Sequence, residues 1–297
     1  MNKNKILIID GTFLAYKAFY ATLYNSPIQL ANSEGKDTNE IVAFFNTLIA
    51  LLKFHKPSHL FIAFDSEIKT FRHEMFQEYK STRKKAPSTF YNQLNVIKKL
   101  LTYLNIKNLF VNGYEADDII AKVTKLFQDK SQILIYSGDQ DLNQLISDNV
   151  SIIKKIKSQN VIINNYNFDN YYEYLPSQVV DYKAIVGDSS DNFKGIPGLG
   201  CKTAISLLQE FDSLEEMYDH IEEIESKSVR EKLIKYKDKA LFDRFLAILN
   251  TNFEIDITSL DDISISHINL TDKAINILKE FELQQIKDKL ESLITSD

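Results

Sequence analysis

KILIID, residues 5–10, is a short apolar run that stops at an aspartate, and HLFIAFD (59–65) and QILIYSGD (132–139) repeat the pattern. Continuous apolar runs of this length fit strands buried on both faces, as in a parallel sheet covered by helices. Helical patterns lie between them, at 39–54, about 89–104 and 116–128, so strand and helix alternate. An α/β fold with a central, mostly parallel sheet follows. VSIIKKI (150–156) and NVIINNYN (160–167) read as a hairpin at the sheet edge. From about residue 176 the chain turns helical, with a Gly/Pro cluster at 195–200 and charged amphipathic segments to the end. No repeat or low-complexity linker interrupts it.

The three strand-end aspartates are Asp10, Asp65 and Asp139. A strand-end Asp is commonly a turn residue. On three parallel strands, however, they would converge on one rim, where open α/β sheets bind their ligands. GYEADDIIA (113–121) places Glu115, Asp117 and Asp118 at the start of a helix. The helix dipole favours acids there by about 0.3–1 kcal/mol each, so this cluster alone fits capping as well as it fits a metal site. SGDQDLNQLI adds Asp139 and Asp141 around a turn, and GDSSDNFKG adds Asp188 and Asp191 in a loop, for nine carboxylates in five short segments. Oxygen donors without histidine or cysteine suit hard cations such as Mg²⁺ or Mn²⁺. Since Mg²⁺ takes only one or two carboxylates, nine point to two ions. Such a pair, roughly 3.5–4 Å apart, suits in-line displacement at phosphorus.

Composition narrows the class. The chain has 297 residues, 44% apolar and 26% charged, as in a soluble globular protein. A single cysteine, Cys201, excludes an internal disulfide and a cysteine-based zinc site. The N-terminal apolar run is too short for a signal peptide, and IVAFFNTLIALLKF (41–54) is broken by Asn46, Thr47 and Lys53. A cytoplasmic protein without a membrane segment is expected. The net charge of −6 argues against nucleic acid, but it becomes +3 once the nine acids are set aside. KTFRHEMFQEYKSTRKK (69–85) sets six positive side chains against Glu74 and Glu78, a local charge of +4. Most such runs are solvated loops; interleaving with Phe71, Phe76 and Tyr79 also suits a single strand. GIPGLGCKTAISLLQEF (195–211) runs glycines 195, 198 and 200 into a helix near Lys202. It lacks Walker A spacing and fits an anion-binding helix start or a plain helix–helix connection.

IIDGTFLAYKAFYA, IAFDSEIKTFRHE, GYEADDIIA, SGDQDLNQLI and VGDSSDNFKGIPGLGCKTA, in this order, resemble the bacterial 5′→3′ exonucleases, similar to the N-terminal nuclease domain of DNA polymerase I and part of the flap endonuclease superfamily. The resemblance runs from about residue 5 to about 250. It implies a PIN-like, resolvase-like nuclease core over residues 1–173 with a helical arch at about 66–87. A helix–three-turn–helix DNA-binding region over 174–255 and a helical tail over 256–297 would follow. It further implies one metal held by Asp10, Asp65, Glu115, Asp117 and Asp139, and a second nearer Asp118, Asp141, Asp188 and Asp191. Lys80, Arg83 and Arg72 would serve the reacting phosphate. Lys17, Tyr79, Lys84, Lys85, Gly198, Gly200, Lys202 and Thr203 would contact DNA. The implied cofactors are two Mg²⁺, replaceable by Mn²⁺, and K⁺ at the Gly-rich hairpin. The implied substrate is DNA with a 5′ flap, nick or RNA primer, cut by a monomer in primer removal and repair, with polymerase and ligase as functional partners. With no polymerase portion in the sequence, a stand-alone nuclease is expected.

Five positions depart from the family's usual residues: Lys17 for Arg, Gln140 for Lys, Phe193-Lys194 for Ile-Pro, and Cys201 for Glu or Pro. None removes a carboxylate. IDGT and GDSSDN also bring to mind haloacid-dehalogenase phosphatases, but that chemistry needs an aspartate two residues before Asp10, where Ile8 stands. A DNA-structure-binding protein that has lost catalysis is the remaining alternative.

Overall fold

The computed structural model describes residues 4–25, 30–157 and 159–295. In chain order the strands are β1 (Asn4–Asp10), β2 (His59–Ala63), β3 (Asn108–Leu109), β4 (Ser131–Tyr136), β5 (Val150–Ile156) and β6 (Gln159–Ile163). The helices of the first half are α1 (Gly11–Asn25), α2 (Asn39–His55), α3 (Phe71–Met75), α4 (Ser88–Tyr103) and α5 (Ala116–Phe127). Those of the second half are α6 (Val179–Val186), α7 (Cys201–Phe211), α8 (Leu214–Asp219), α9 (Lys227–Lys235), α10 (Lys237–Ala247), α11 (Asp272–Glu280) and α12 (Gln284–Ile294).

The strands form one sheet in the order β3-β2-β1-β4-β5-β6. All neighbours pair in parallel except β5 and β6, which form the antiparallel edge hairpin. Alternate residues of the central strands face opposite layers, as the period of two requires. Ile6, Ile8, Ile133 and Ile135 pack with Ile119, Ile120 and Val123 of α5. Leu7, Ile9, Leu60 and Ile62 face the other way, against α1, α2 and α4. Both faces are covered, which explains why the strands read as unbroken apolar runs.

One expectation about local structure changes. The 66–87 segment, expected as a helical arch, holds only the five-residue α3, and the remainder is turns and irregular chain. The Asp141 turn leads into a 3₁₀ helix, Asp141–Leu145. The final helices are not an appendage: Ala274, Leu278, Leu283, Ile286 and Leu290 complete the layer over α2 and α4. A separate apolar cluster, with Ile185, Ile196, Leu199, Leu207, Leu208, Leu214, Met217 and Leu233, binds α6 to α9 together. No helix is long and apolar enough to cross a membrane among the described residues.

Candidate active site

β1 lies beside β2 and β4, so their carboxyl ends place Asp10, Asp65 and Asp139 on one rim. α5 starts at that rim and adds Asp117. Together these four line one cleft of about 1070 Å³, whose other walls include Lys80, Arg83, Lys84 and Lys85. The convergence expected from the strand ends is therefore present.

The carboxylates are held in place by short local bonds. Asp10 accepts from the Phe13 N–H at 2.9 Å and the Ser137 hydroxyl at 2.8 Å. Asp65 accepts from the Ala116 N–H at 2.8 Å, which ties the end of β2 to the start of α5. The Asp141 N–H donates to Asp139 at 2.9 Å. Burial, then the neighbouring charge of Asp65, pushes the Asp10 carboxyl up to about 7. Burial likewise raises Asp65, and raises Asp117 well above the usual carboxylate range with Asp139 and Asp10 adding repulsion. Three clustered acids that resist ionisation when bare are what a bound dication would relieve. The donor set is oxygen throughout, so the residues present fit Mg²⁺ or Mn²⁺.

A second carboxylate group adjoins the first. One oxygen each from Asp141, Asp188 and Asp191 lies within 4.8 Å of the others. Asp188 is held by the Ser190 N–H and hydroxyl, both at 2.7 Å. Burial opposes its charge, but Lys183 and these bonds outweigh that and hold it down at about 2.

The 66–87 segment closes over both groups. Lys80 Nζ lies 2.6 Å from Glu115 and 3.8 Å from Asp191, and Arg83 lies 2.8 Å from Asp191. The Lys80 backbone is in the left-handed region, φ 52°, anchored by its N–H on the Asp191 carbonyl at 3.1 Å. A lysine in that conformation is uncommon, and such strain gathers at functional sites. Burial works against the Lys80 charge, yet Glu115 and Asp191 more than offset it and raise its pKa. Glu115 is itself held below its usual range by Lys80 and Arg72, against its burial.

Three residues are placed otherwise than the resemblance implied. Arg72 is 2% exposed, with its guanidinium on Asp118 at 2.7 and 2.8 Å and on the carbonyls of Leu246 and Ile248. It is closed to a phosphate and positions α5 instead. Asp118 is fully buried and also accepts from the N–H groups of Glu115 and Asn250, so it faces this ion pair and not the second carboxylate group. Tyr79 is buried, its hydroxyl donating to Glu115 at 3.1 Å or Asp191 at 2.9 Å; it braces the acids and presents no ring to DNA. Lys17 is hydrogen-bonded to the Tyr136 hydroxyl, its ammonium 5.6 Å from the Phe13 ring centre. The reason is common to Arg72, Asp118 and Tyr79: each lies where burial demands a partner, and the nearest partner is protein.

The Gly-rich hairpin lies at the surface. Gly198 has φ 78°, Gly200 precedes α7 with free space around its Cα, and Lys202 is exposed while Thr203 is half-buried. Lys232 of α9 donates to the Gly198 carbonyl at 3.1 Å. Cys201, which stands where Glu or Pro is usual, is exposed. Sequence reasoning missed Lys183, which ion-pairs with Asp141 and Asp188. Its place one helical turn before the GDSSDN loop was the available signal. Ser137 and Thr12, which orient Asp10 and Asp65, carried none.

Residues 5–173 match the family model described as the 5′-3′ exonuclease N-terminal resolvase-like domain, and residues 174–271 match the 5′-3′ exonuclease C-terminal SAM fold. A 5′-3′ exonuclease of Mycoplasmopsis pulmonis is 36% identical over 295 residues, covering 99% of this chain and 96% of that protein. DNA polymerase I of Bacillus subtilis is 38% identical over 259 residues; the match covers 86% of this chain but only 29% of the polymerase. Among solved structures, the bacteriophage T5 5′-exonuclease with bound divalent metal ions superposes with a TM-score of 0.68 at 22% identity, covering 98% of this chain and all of that one. The flap endonuclease-1 of Methanococcus jannaschii gives 0.61 at 19% identity, covering 99% and 94% of the two chains. These structures share the fold. With both halves matched in order and the carboxylate rim in place, the chain belongs to the 5′-3′ exonuclease family.

Proposed function

We propose that this chain hydrolyses phosphodiester bonds at 5′ ends, flaps and single-strand/duplex junctions. One observation carries the reading: Asp10, Asp65, Asp117 and Asp139 share a single cleft with Lys80 and Arg83. Acids and bases meeting on one open rim suit a phosphate that needs both cations and metal ligands.

In this reading Asp10, Asp65, Glu115, Asp117 and Asp139 hold one Mg²⁺, and Asp141, Asp188 and Asp191 hold a second. Such ions polarise the phosphoryl oxygen and lower the pKa of water. Lys80 and Arg83, now on Glu115 and Asp191, are the groups that reach the substrate phosphate once the carboxylates have divalent partners. Lys84 and Lys85, lining the same cleft, follow the single strand, and Gly198, Gly200, Lys202 and Thr203 hold duplex phosphates through backbone and side-chain donors. K⁺ at that hairpin belongs to the same reading. So does the division into a nuclease core (1–173, with the arch at 66–87), a duplex-gripping region (174–255) and a tail (256–297). The chain would act as a monomer in the cytoplasm, during primer removal and repair, alongside polymerase and ligase.

The test uses a nicked duplex with a 5′-labelled flap, incubated with Mg²⁺ or EDTA. Wild type should cut at the junction only with Mg²⁺, and Asp117→Asn should not cut. Binding without cleavage by wild type in Mg²⁺ and in Mn²⁺ would refute hydrolysis and leave a DNA-structure-binding protein.

A further inference from the structure

Lys183 lies in the last turn of α6, and its ammonium enters the second carboxylate group. It ion-pairs with Asp141 and lies 2.5 Å from Asp188 Oδ2. Its side chain is only 10% exposed. Asp191 is supplied separately, by Arg83 and Lys80. Among the described residues, Lys183 is the cation that Asp141 and Asp188 share.

The carboxylates sit on a stiff scaffold. Asp188 and Phe193 bond to each other through both backbone N–H groups, at 2.8 and 3.0 Å, and the Ile196 N–H reaches the Ile185 carbonyl at 2.8 Å. At Gly187 and Gly195 an added Cβ would strike backbone atoms within 2.8 Å, so the loop is packed main chain on main chain. The lysine, in contrast, is a point charge on a flexible four-carbon stem. Of the groups that meet here, the ammonium is the one free to withdraw.

We propose that Lys183 is a tethered counter-ion, which neutralises Asp141 and Asp188 while no divalent ion is bound there and is displaced when one binds. It keeps three mutually repelling carboxylates assembled in the metal-free protein, and it weakens the affinity of that group for its ion by competing for the same oxygens. The inference rests on the two-ion reading above.

The full chain, without DNA, is titrated with Mn²⁺ by calorimetry, and its unfolding temperature is measured in EDTA and in Mn²⁺. Wild type should bind two classes of ion, with the weaker class abolished by Asp188→Asn. Lys183→Met should tighten that class about tenfold or more. It should also lower the unfolding temperature in EDTA and enlarge the rise that Mn²⁺ produces. Lys183→Arg provides a second arm should Lys183→Met fail to fold: its bidentate grip on the carboxylates should weaken the same class. Two classes in wild type with the weaker one unchanged in Lys183→Met, or in Lys183→Arg where that alone folds, would overturn the lysine's role and leave the two-ion reading intact. A second class appearing only in Lys183→Met would support it. A single class in every variant would overturn the two-ion reading, and the lysine's role with it.

Discussion

Replacing Glu40 with Gln should change how stability depends on pH. Glu40 is the second residue of α2 and is fully buried, and among the described residues neither carboxylate oxygen has a hydrogen-bond partner. Its backbone N–H donates to Gln93, which bonds Asn39, which in turn bonds Thr22; the network passes the carboxyl by. Burial alone pushes that carboxyl up to about 9, from an ordinary value of 4.5. The folded chain therefore keeps a proton that the unfolded chain releases across this window, so wild-type stability falls as pH rises from 4.5 towards 9. Each pH unit inside the window is worth about 1.4 kcal/mol, so three units, from about pH 5 to about pH 8, correspond to about 4 kcal/mol. Water reaching the helix end on ionisation would reduce this to about 2 kcal/mol. Gln has nearly the same shape and does not titrate. Urea unfolding followed by circular dichroism, in EDTA, should give near-equal stabilities at about pH 5 and a Glu40→Gln advantage of about 2–4 kcal/mol at about pH 8. Parallel pH profiles for the two proteins would refute the reasoning.

Three further outcomes are expected. Arg72→Met leaves Asp118 as a buried, unpaired charge and should cost about 3–5 kcal/mol in chemical denaturation, with Arg72→Met/Asp118→Asn, which removes the charge but keeps an acceptor for the Glu115 and Asn250 N–H groups, recovering part of it; a loss under about 1 kcal/mol would show that the pair does not hold α5. Tyr79→Phe removes the hydroxyl between Glu115 and Asp191, and should lower stability by about 1–2 kcal/mol in EDTA. Because Asp10 ionises only near 7 when bare, Mn²⁺ affinity should rise with pH from about 5 to about 8 and binding should release protons, seen as a dependence of calorimetric heat on the buffer. A pH-independent affinity would refute the raised carboxyl.

The layered architecture was legible because each strand between two helical layers must be apolar along its length, and KILIID, HLFIA and QILIY each are. Asp10, Asp65 and Asp139 were legible because a parallel sheet brings its strand ends to one rim whatever the loops do. The motif order identified the family for the same reason: ligand chemistry constrains residue type and spacing together. What each charged side chain does was not legible. Arg72, Lys80 and Arg83 look alike in a basic run, yet Arg72 is sealed against Asp118 whereas the other two reach the cleft. Lys183 looked like an ordinary helical lysine until folding set it between Asp141 and Asp188. The helices beyond residue 271 showed no chemistry, and their contribution is the apolar face they return to α2 and α4. Local pattern determines which face of an element is apolar and where a strand ends. Which charge meets which is settled by contacts between residues far apart in the chain, because burial makes every ionised group take the partner that the packing brings within reach.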